Sequence, residues 1–224
     1  MCGRYTLGVP PSRIAEIFDL LDVPELAPRF NIAPTQLAPV VRMRESRRVL
    51  ELRRWGLVPF WAKDPAIGNR LINARSESVE EKPSFRAAFR KHRCLVPADG
   101  FYEWKPAGRR KQPFWIHRRD DLPFAMAGLC ERWHADLEDE IRSFTILTTD
   151  ANPLLRPIHD RMPVILAREA WAEWLDPDAA ADSLHALLRP APLEELEARP
   201  VSTLVNSAAM DDPRCIEPAY DATV

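Results

Sequence analysis

Hydrophobic and polar positions alternate with a period of two over most of this chain, in short runs broken by Pro, Gly and charged clusters. Tyr5, Leu7 and Val9 alternate with polar or small residues, which predicts a strand that ties the amino-terminal end into a sheet. Residues 37–43 and 49–55 predict a hairpin around a charged tip at 44–48. Residues 94–104 read as a buried strand, an Asp99-Gly100 turn and a second strand of alternating character. Further strands are expected over 113–117, 124–130, 143–148, 164–166 and 201–205. Helical spacing is rarer. Ile14, Ile17, Phe18 and Leu21 follow Ser12 as an N-cap, and Phe85, Ala88, Phe89 and His92 follow Lys82-Pro83-Ser84. Two later helices are expected over 168–175 and 182–188. Residues 30–35 read as an extended loop, because Pro34 disfavours helix at Ala33, and the tail from Asp211 reads as irregular.

Strands outnumber helices and their connections are short, so the fold class is α+β: a mostly antiparallel curved sheet or β-barrel-like core with peripheral helices. A chain of 224 residues suffices for one sizeable core, and a single domain over 1–224 is expected, as a monomer. No apolar run approaches the roughly 18 to 20 residues of a membrane-spanning helix, so no membrane partner and a bacterial cytoplasmic location are expected. Cys2, Cys94, Cys130 and Cys215 are scattered without a C-x-x-C pair, which suggests neither a metal site nor a disulfide framework. Cys94 and Cys130 lie in apolar runs and read as buried thiols. With 22 Pro and only 7 Gly, the loops should be stiff and a groove between them preformed.

The net charge of −2 conceals an asymmetry: residues 1–119 hold 23 Lys/Arg against 12 Asp/Glu, and residues 120–224 hold 8 against 21. Packing one half on the other would neutralise this. Alternatively, a basic groove would remain for a polyanion, and the preference for Arg suits bidentate phosphate contacts.

Candidate chemistry begins at Met1-Cys2-Gly3-Arg4-Tyr5. Removal of Met1 would leave Cys2 with a free α-amine and a thiol on one carbon skeleton. An α-amine has a reference pKa of about 7.7 to 8.0, against about 10.4 for lysine, so a useful fraction is neutral and nucleophilic near pH 7. It can condense with an aldehyde to an imine, and the tethered thiol can close on the imine carbon to a five-membered thiazolidine. Glu103, among Phe101, Tyr102 and Trp104, is placed for proton transfer if desolvation raises its pKa; a solvent-facing strand glutamate is the other reading. His159, followed by Asp160 and Arg161, has an orienting carboxylate and a cation for an anionic substrate. Phe60 and Trp61 precede a polar loop and could be exposed stacking surfaces. His117 reads as structural.

Six motifs in order, MCGRY at 1–5, RFNIAPTQ at 29–36, RWGLVPFWA at 54–62, INARSES at 72–78, RCLVPADGFYEW at 93–104 and IHDRMPVIL at 158–166, resemble the SOS-response-associated peptidase (SRAP) family of abasic site processing proteins. The resemblance implies the SRAP fold and a DNA-damage-response activity. In it, Cys2 captures the aldehyde of an abasic site in single-stranded DNA as a covalent thiazolidine crosslink, with autopeptidase and lyase activities attached to the family. It also implies that Asn73 positions the reacting centre, that Glu103 is the general acid/base and that His159 assists at the sugar oxygen. Arg4, Arg75 and Arg161 would hold phosphates, helped by Asn31 and Thr148, while Pro34 and Trp61 would wedge against or stack on bases. Neither metal nor organic cofactor is implied. Two other readings remain open: a non-covalent reader of modified or single-stranded DNA, and a cysteine peptidase using Cys2, Glu103 and His159.

Overall fold

The alternation at the amino-terminal end becomes β1 (Tyr5–Leu7), with all three residues buried. The structure, a computed structural model, describes residues 2–219. Helix α1 (Pro11–Phe18) begins just ahead of Ser12, because Pro11 supplies the preset first turn, and Asp19 closes it in the left-handed region at φ 55°. Ser12 is therefore not its N-cap. Leu21 lies beyond the helix end and is 85% exposed. β2 (Arg29–Ile32) corrects the loop expected at 30–35: Ile32 pairs with Tyr5, and the chain turns only from Pro34.

The hairpin expected over 37–55 forms as β3 (Leu37–Arg44) and β4 (Arg47–Trp55). Glu45 and Ser46 both take positive φ, 50° and 62°, as a two-residue turn between twisted strands requires. The order then runs β5 (Asn73–Arg75), α2 (Arg86–Lys91), β6 (Arg93–Ala98), β7 (Gly100–Ala107), β8 (Arg110–Arg118), β9 (Phe124–Trp133), β10 (Ile141–Asp150), β11 (Arg161–Pro163), β12 (Ile165–Leu166), α3 (Trp171–Leu175), α4 (Ala181–Leu187) and β13 (Leu196–Pro200).

Two sheets result. One has the order β13-β8-β7-β1-β2; the other runs β11-β10-β4-β3-β6-β9-β12, with β5 added on β10. Pairing is antiparallel except where β10 runs beside β4 and β5. Because β9 also pairs with β10, the larger sheet curls back towards itself. The α+β class and its curved, mostly antiparallel core are those the sequence pattern predicts, and no helix among the described residues is long and apolar enough to cross a membrane.

Asp99-Gly100 is not a hairpin turn. β6 pairs with β3 and β9, whereas β7 pairs with β1 and β8, so the chain crosses there from one sheet to the other. The Asp99 carboxylate is spent on the amino-terminal strand: it accepts the Thr6 hydroxyl and the N–H groups of Gly8 at 2.5 Å and Val9 at 3.2 Å. Gly100 is needed because a Cβ there would lie 2.1 Å from Nε1 of Trp115, whose indole donates to Thr6 Oγ1. The strand expected at 201–205 is displaced as well. Leu196, buried against β8, leads β13 instead. Residues 203–206 form a 3-10 turn whose Leu204 N–H is accepted by Ser202 Oγ. Beyond Asp211 the chain still forms a 3-10 turn, Pro213–Ile216. Residues 220–224 of the expected irregular tail lie outside the described residues.

One apolar cluster joins both sheets through Tyr5, Phe101, Trp55, Phe144 and Trp174. Arg93 is buried beneath it and caps two helices at once. Its guanidinium donates to the carbonyls of Phe89 and Arg90 at the end of α2, and to those of Trp174 and Asp176 at the end of α3. Helix ends need such donors for their last carbonyls. Arg93→Met should cost about 3 kcal/mol or more, since four carbonyls lose a charged partner. A lowered urea midpoint at unchanged slope would register it; an unchanged midpoint would mean that water replaces the guanidinium at no cost.

Candidate active site

β1 lies between β7 and β2 and is clamped by Asp99, so the residues just ahead of it are held at the junction of the two sheets. Cys2 has no exposed surface. Its carbonyl accepts Nδ2 of Asn73 at 2.8 Å, which links the end of the smaller sheet to the first residue of β5 in the larger one. Asn73 Oδ1 is buried and has no hydrogen-bond partner among the described residues. The Cys2 thiol points at the Arg4 carbonyl, 3.8 Å away. Burial, reinforced by the negative charge of Glu103, raises the thiol well above its ordinary range, so the sulfur stays protonated.

Glu103 resolves the two readings left open by its strand. It lies in β7 opposite Phe114 and is only 2% exposed. Burial pushes its carboxyl up to about 7, where both protonation states are populated at neutral pH. His159 sits in the turn between β10 and β11. Its Nδ1 lies 3.0 Å from the backbone nitrogen of Arg161 and 2.9 Å from Asp160 Oδ1. Burial lowers its pKa and favours the neutral ring. Glu103 and His159 open into one cavity of about 640 Å³, with Trp104, Lys111, Thr203 and Asn206 among its other walls.

The residues expected at phosphates and bases divide into two groups. Arg4, Asn31, Thr148 and Arg161 are engaged with protein. Arg4 donates to Asn31 Oδ1 at 2.9 Å and to the Val205 carbonyl at 2.8 Å. Asn31, fully buried, shares its Nδ2 among the carbonyls of Val205, Ser207 and Met210. Together they clasp the segment that carries Thr203 and Asn206 into the cavity wall. Arg161 forms a two-pronged pair with Glu77, at 2.6 and 2.9 Å, and also reaches Asp150 and the Thr148 carbonyl. Thr148 is fully buried. By contrast, Arg75 is exposed and has no side-chain partner among the described residues. Phe60 and Trp61 are 59% and 47% exposed, and Pro34 is half-buried at its turn.

His117 is buried and stacked on Trp115, 4.1 Å between centroids, away from the cavity walls. Cys94 and Cys130 are buried thiols. Among the described residues no three His, Cys, Asp or Glu side chains group as metal ligands. Part of the charge asymmetry is neutralised by packing, as Arg29 meets Asp211, Lys91 meets Asp178 and Arg119 meets Glu197. The sequence reading missed Trp104, Arg110, Lys111 and Asn206 as cavity residues. One signal was present: from Trp104 to Arg119 the chain carries six Lys/Arg and no Asp or Glu.

A family profile described as SOS response associated peptidase (SRAP) matches residues 1–208. The chain is 43% identical over 222 residues to the abasic site processing protein YoqW of Bacillus subtilis, covering 97% of this chain and 99% of that one. It is 36% identical to the abasic site processing protein HMCES of Gallus gallus, covering 97% of this chain and 78% of that protein. The crystal structure of a Bacteroides thetaiotaomicron protein superposes with a TM-score of 0.87 at 29% identity, over 97% of this chain and all of that one.

Proposed function

The chain belongs to the SOS response associated peptidase (SRAP) family, and from that premise we propose that it processes abasic sites in single-stranded DNA by forming a covalent thiazolidine through Cys2. The observation that carries this reading is the fixed position of Cys2, whose carbonyl is held by Asn73 while its thiol lies within the field of a half-ionised, buried Glu103.

The chemistry follows from those groups. Loss of Met1 frees the Cys2 amine, which attacks the aldehyde carbon of the ring-opened sugar. The resulting carbinolamine loses its hydroxyl as water, taking a proton from Glu103, and an iminium ion forms. The thiol then adds to the iminium carbon and its proton returns to the Glu103 carboxylate, leaving a neutral thiazolidine. One aldehyde and one aminothiol thus give one ring and one water. Because burial keeps the sulfur protonated, the amine reacts first. His159 serves the sugar oxygen as the ring opens. Asn73 Oδ1 accepts an N–H of the amine and aims its lone pair. Arg75 and the exposed Phe60 and Trp61 receive the strand, while Arg4, Asn31, Thr148 and Arg161 fix the walls.

The complete burial of Cys2 favours a second reading, non-covalent recognition of the same DNA. One experiment decides between them. Protein with Met1 removed, verified by mass spectrometry, is mixed with single-stranded DNA carrying either an abasic aldehyde or the same site reduced to an alcohol, and both are run on a denaturing gel. A one-to-one adduct with the aldehyde alone supports crosslinking. Binding of both DNAs without an adduct would leave the non-covalent reader. Asn73→Ala should slow adduct formation about 100-fold at unchanged DNA affinity, the scale expected when a reacting group is misplaced by about an ångström. A single-turnover time course measures this, and an unchanged rate would remove Asn73 from the site.

A further inference from the structure

Single-stranded DNA carries a phosphate on each side of any internal lesion, so a protein that holds the lesion sugar needs cations on both sides of the cavity. The larger sheet supplies Arg75, two residues beyond the Asn73 that binds Cys2. Arg4 and Arg161 are committed to Asn31, Val205, Glu77 and Asp150. The other wall belongs to the smaller sheet, and there the cations lie on the β7–β8 hairpin. Of its basic residues, Arg118 and Arg119 at the base are paired with Asp120, Glu195 and Glu197. Lys105, Arg109, Arg110 and Lys111 at the tip are all exposed, and their side chains make no ion pair or hydrogen bond with any described residue.

The tip places these charges close together, since the ladder sets Ala107 opposite Arg110 and Pro106 opposite Lys111 around Gly108, whose φ is +61°. Like charges so near one another repel, and no hydrogen bond or ion pair with a described residue offsets that repulsion. Arg110 and Lys111 also line the cavity into which Glu103 and His159 open, and the Trp104 indole beside them is held by Asn206 Oδ1 at 2.7 Å. A basic rim beside an aromatic face is the combination that binds single strands without reading their sequence.

We propose that the tip of the β7–β8 hairpin is a phosphate-binding arm that holds one flank of the DNA strand, with Arg110 and Lys111 nearest the lesion sugar and Arg75 holding the other flank. The inference rests on the reading of abasic single-stranded DNA as the substrate.

The test uses single-stranded oligonucleotides with a tetrahydrofuran abasic analogue, which has no aldehyde, flanked by nucleotides upstream only, downstream only or on both sides. Affinity is read by fluorescence anisotropy across a salt series. The double variant R110E/K111E should lose about 100-fold with one single-flank DNA and stay within about two-fold with the other. Its salt slope should be shallower by about 1.4, two contacts at about 0.7 each on a single strand. R110K/K111R should bind like wild type. Arg168→Glu, on an exposed turn outside the cavity walls, should change neither flank. Wild-type affinity of R110E/K111E on every DNA, or equal losses on both flanks, would overturn the arm. Wild type is assayed in parallel for its adduct with aldehyde-bearing DNA. If that adduct fails while the one-flank loss persists, the crosslinking reading falls and the arm stands.

Discussion

Cys2→Ala is expected to form no adduct with abasic DNA that survives a denaturing gel, at any time of incubation, while its affinity for the tetrahydrofuran analogue stays within about two-fold of wild type. The two halves of the aminothiol have different duties. An alanine at the same position still offers an α-amine once Met1 is gone, so it can still condense with the aldehyde. The imine it forms has no thiol to close on it and hydrolyses when the protein unfolds. Borohydride added before denaturation should therefore rescue a gel-stable band with Cys2→Ala by reducing the imine, and wild type should need no reductant. In the proposed mechanism the thiol, fully buried and with its pKa raised by that burial, adds second. A stable adduct from Cys2→Ala without borohydride would mean that closure by the thiol is not what makes the linkage durable, and the aminothiol mechanism would be wrong.

What could be read along the chain is what depends on neighbours in sequence. The β3–β4 hairpin was legible because two strand-like runs flank a charged tip at 44–48. Cys2, Glu103 and His159 were singled out because each carries its chemistry in its own side chain and immediate flanks. The misreadings share one cause, a partner far away in sequence. Asp99-Gly100 has the composition of a hairpin turn, yet its roles are set by Thr6 and Trp115. Nothing local shows that Arg161 will meet Glu77 across 84 positions, or that Asn31 will be consumed by Met210 across 179. Where such a side chain is anchored is visible only in the fold. Conversely, the run of cations at the β7–β8 tip takes on a place only when the fold sets it on the rim of the cavity.

Glu103→Gln should move rate and stability in opposite directions, and the pH dependence of each identifies the cause. A positioned acid/base contributes about 100- to 10,000-fold to a proton transfer; removing it should slow crosslinking at pH 7 by at least about 100-fold. With a carboxyl near 7, the wild-type rate should lose its acid-assisted component as pH rises through 7, and the variant should lack that limb. Stability follows from the same burial. The carboxyl sits near 7 in the folded chain against an ordinary 4.5, so the folded state binds the extra proton between those values. Folding stability is then full below about pH 4.5 and declines as pH rises to 7. At about 1.4 kcal/mol per unit the loss is roughly 3 kcal/mol. Glutamine carries no charge to desolvate. The variant should therefore match wild type in urea melts near pH 4.5 and exceed it by roughly 3 kcal/mol at pH 8. A variant less stable than wild type at pH 8 would mean that the buried carboxylate is held by favourable partners. In that case burial would not be what tunes it for proton transfer. The predicted gain is the cost this fold bears to keep a carboxyl poised beside Cys2.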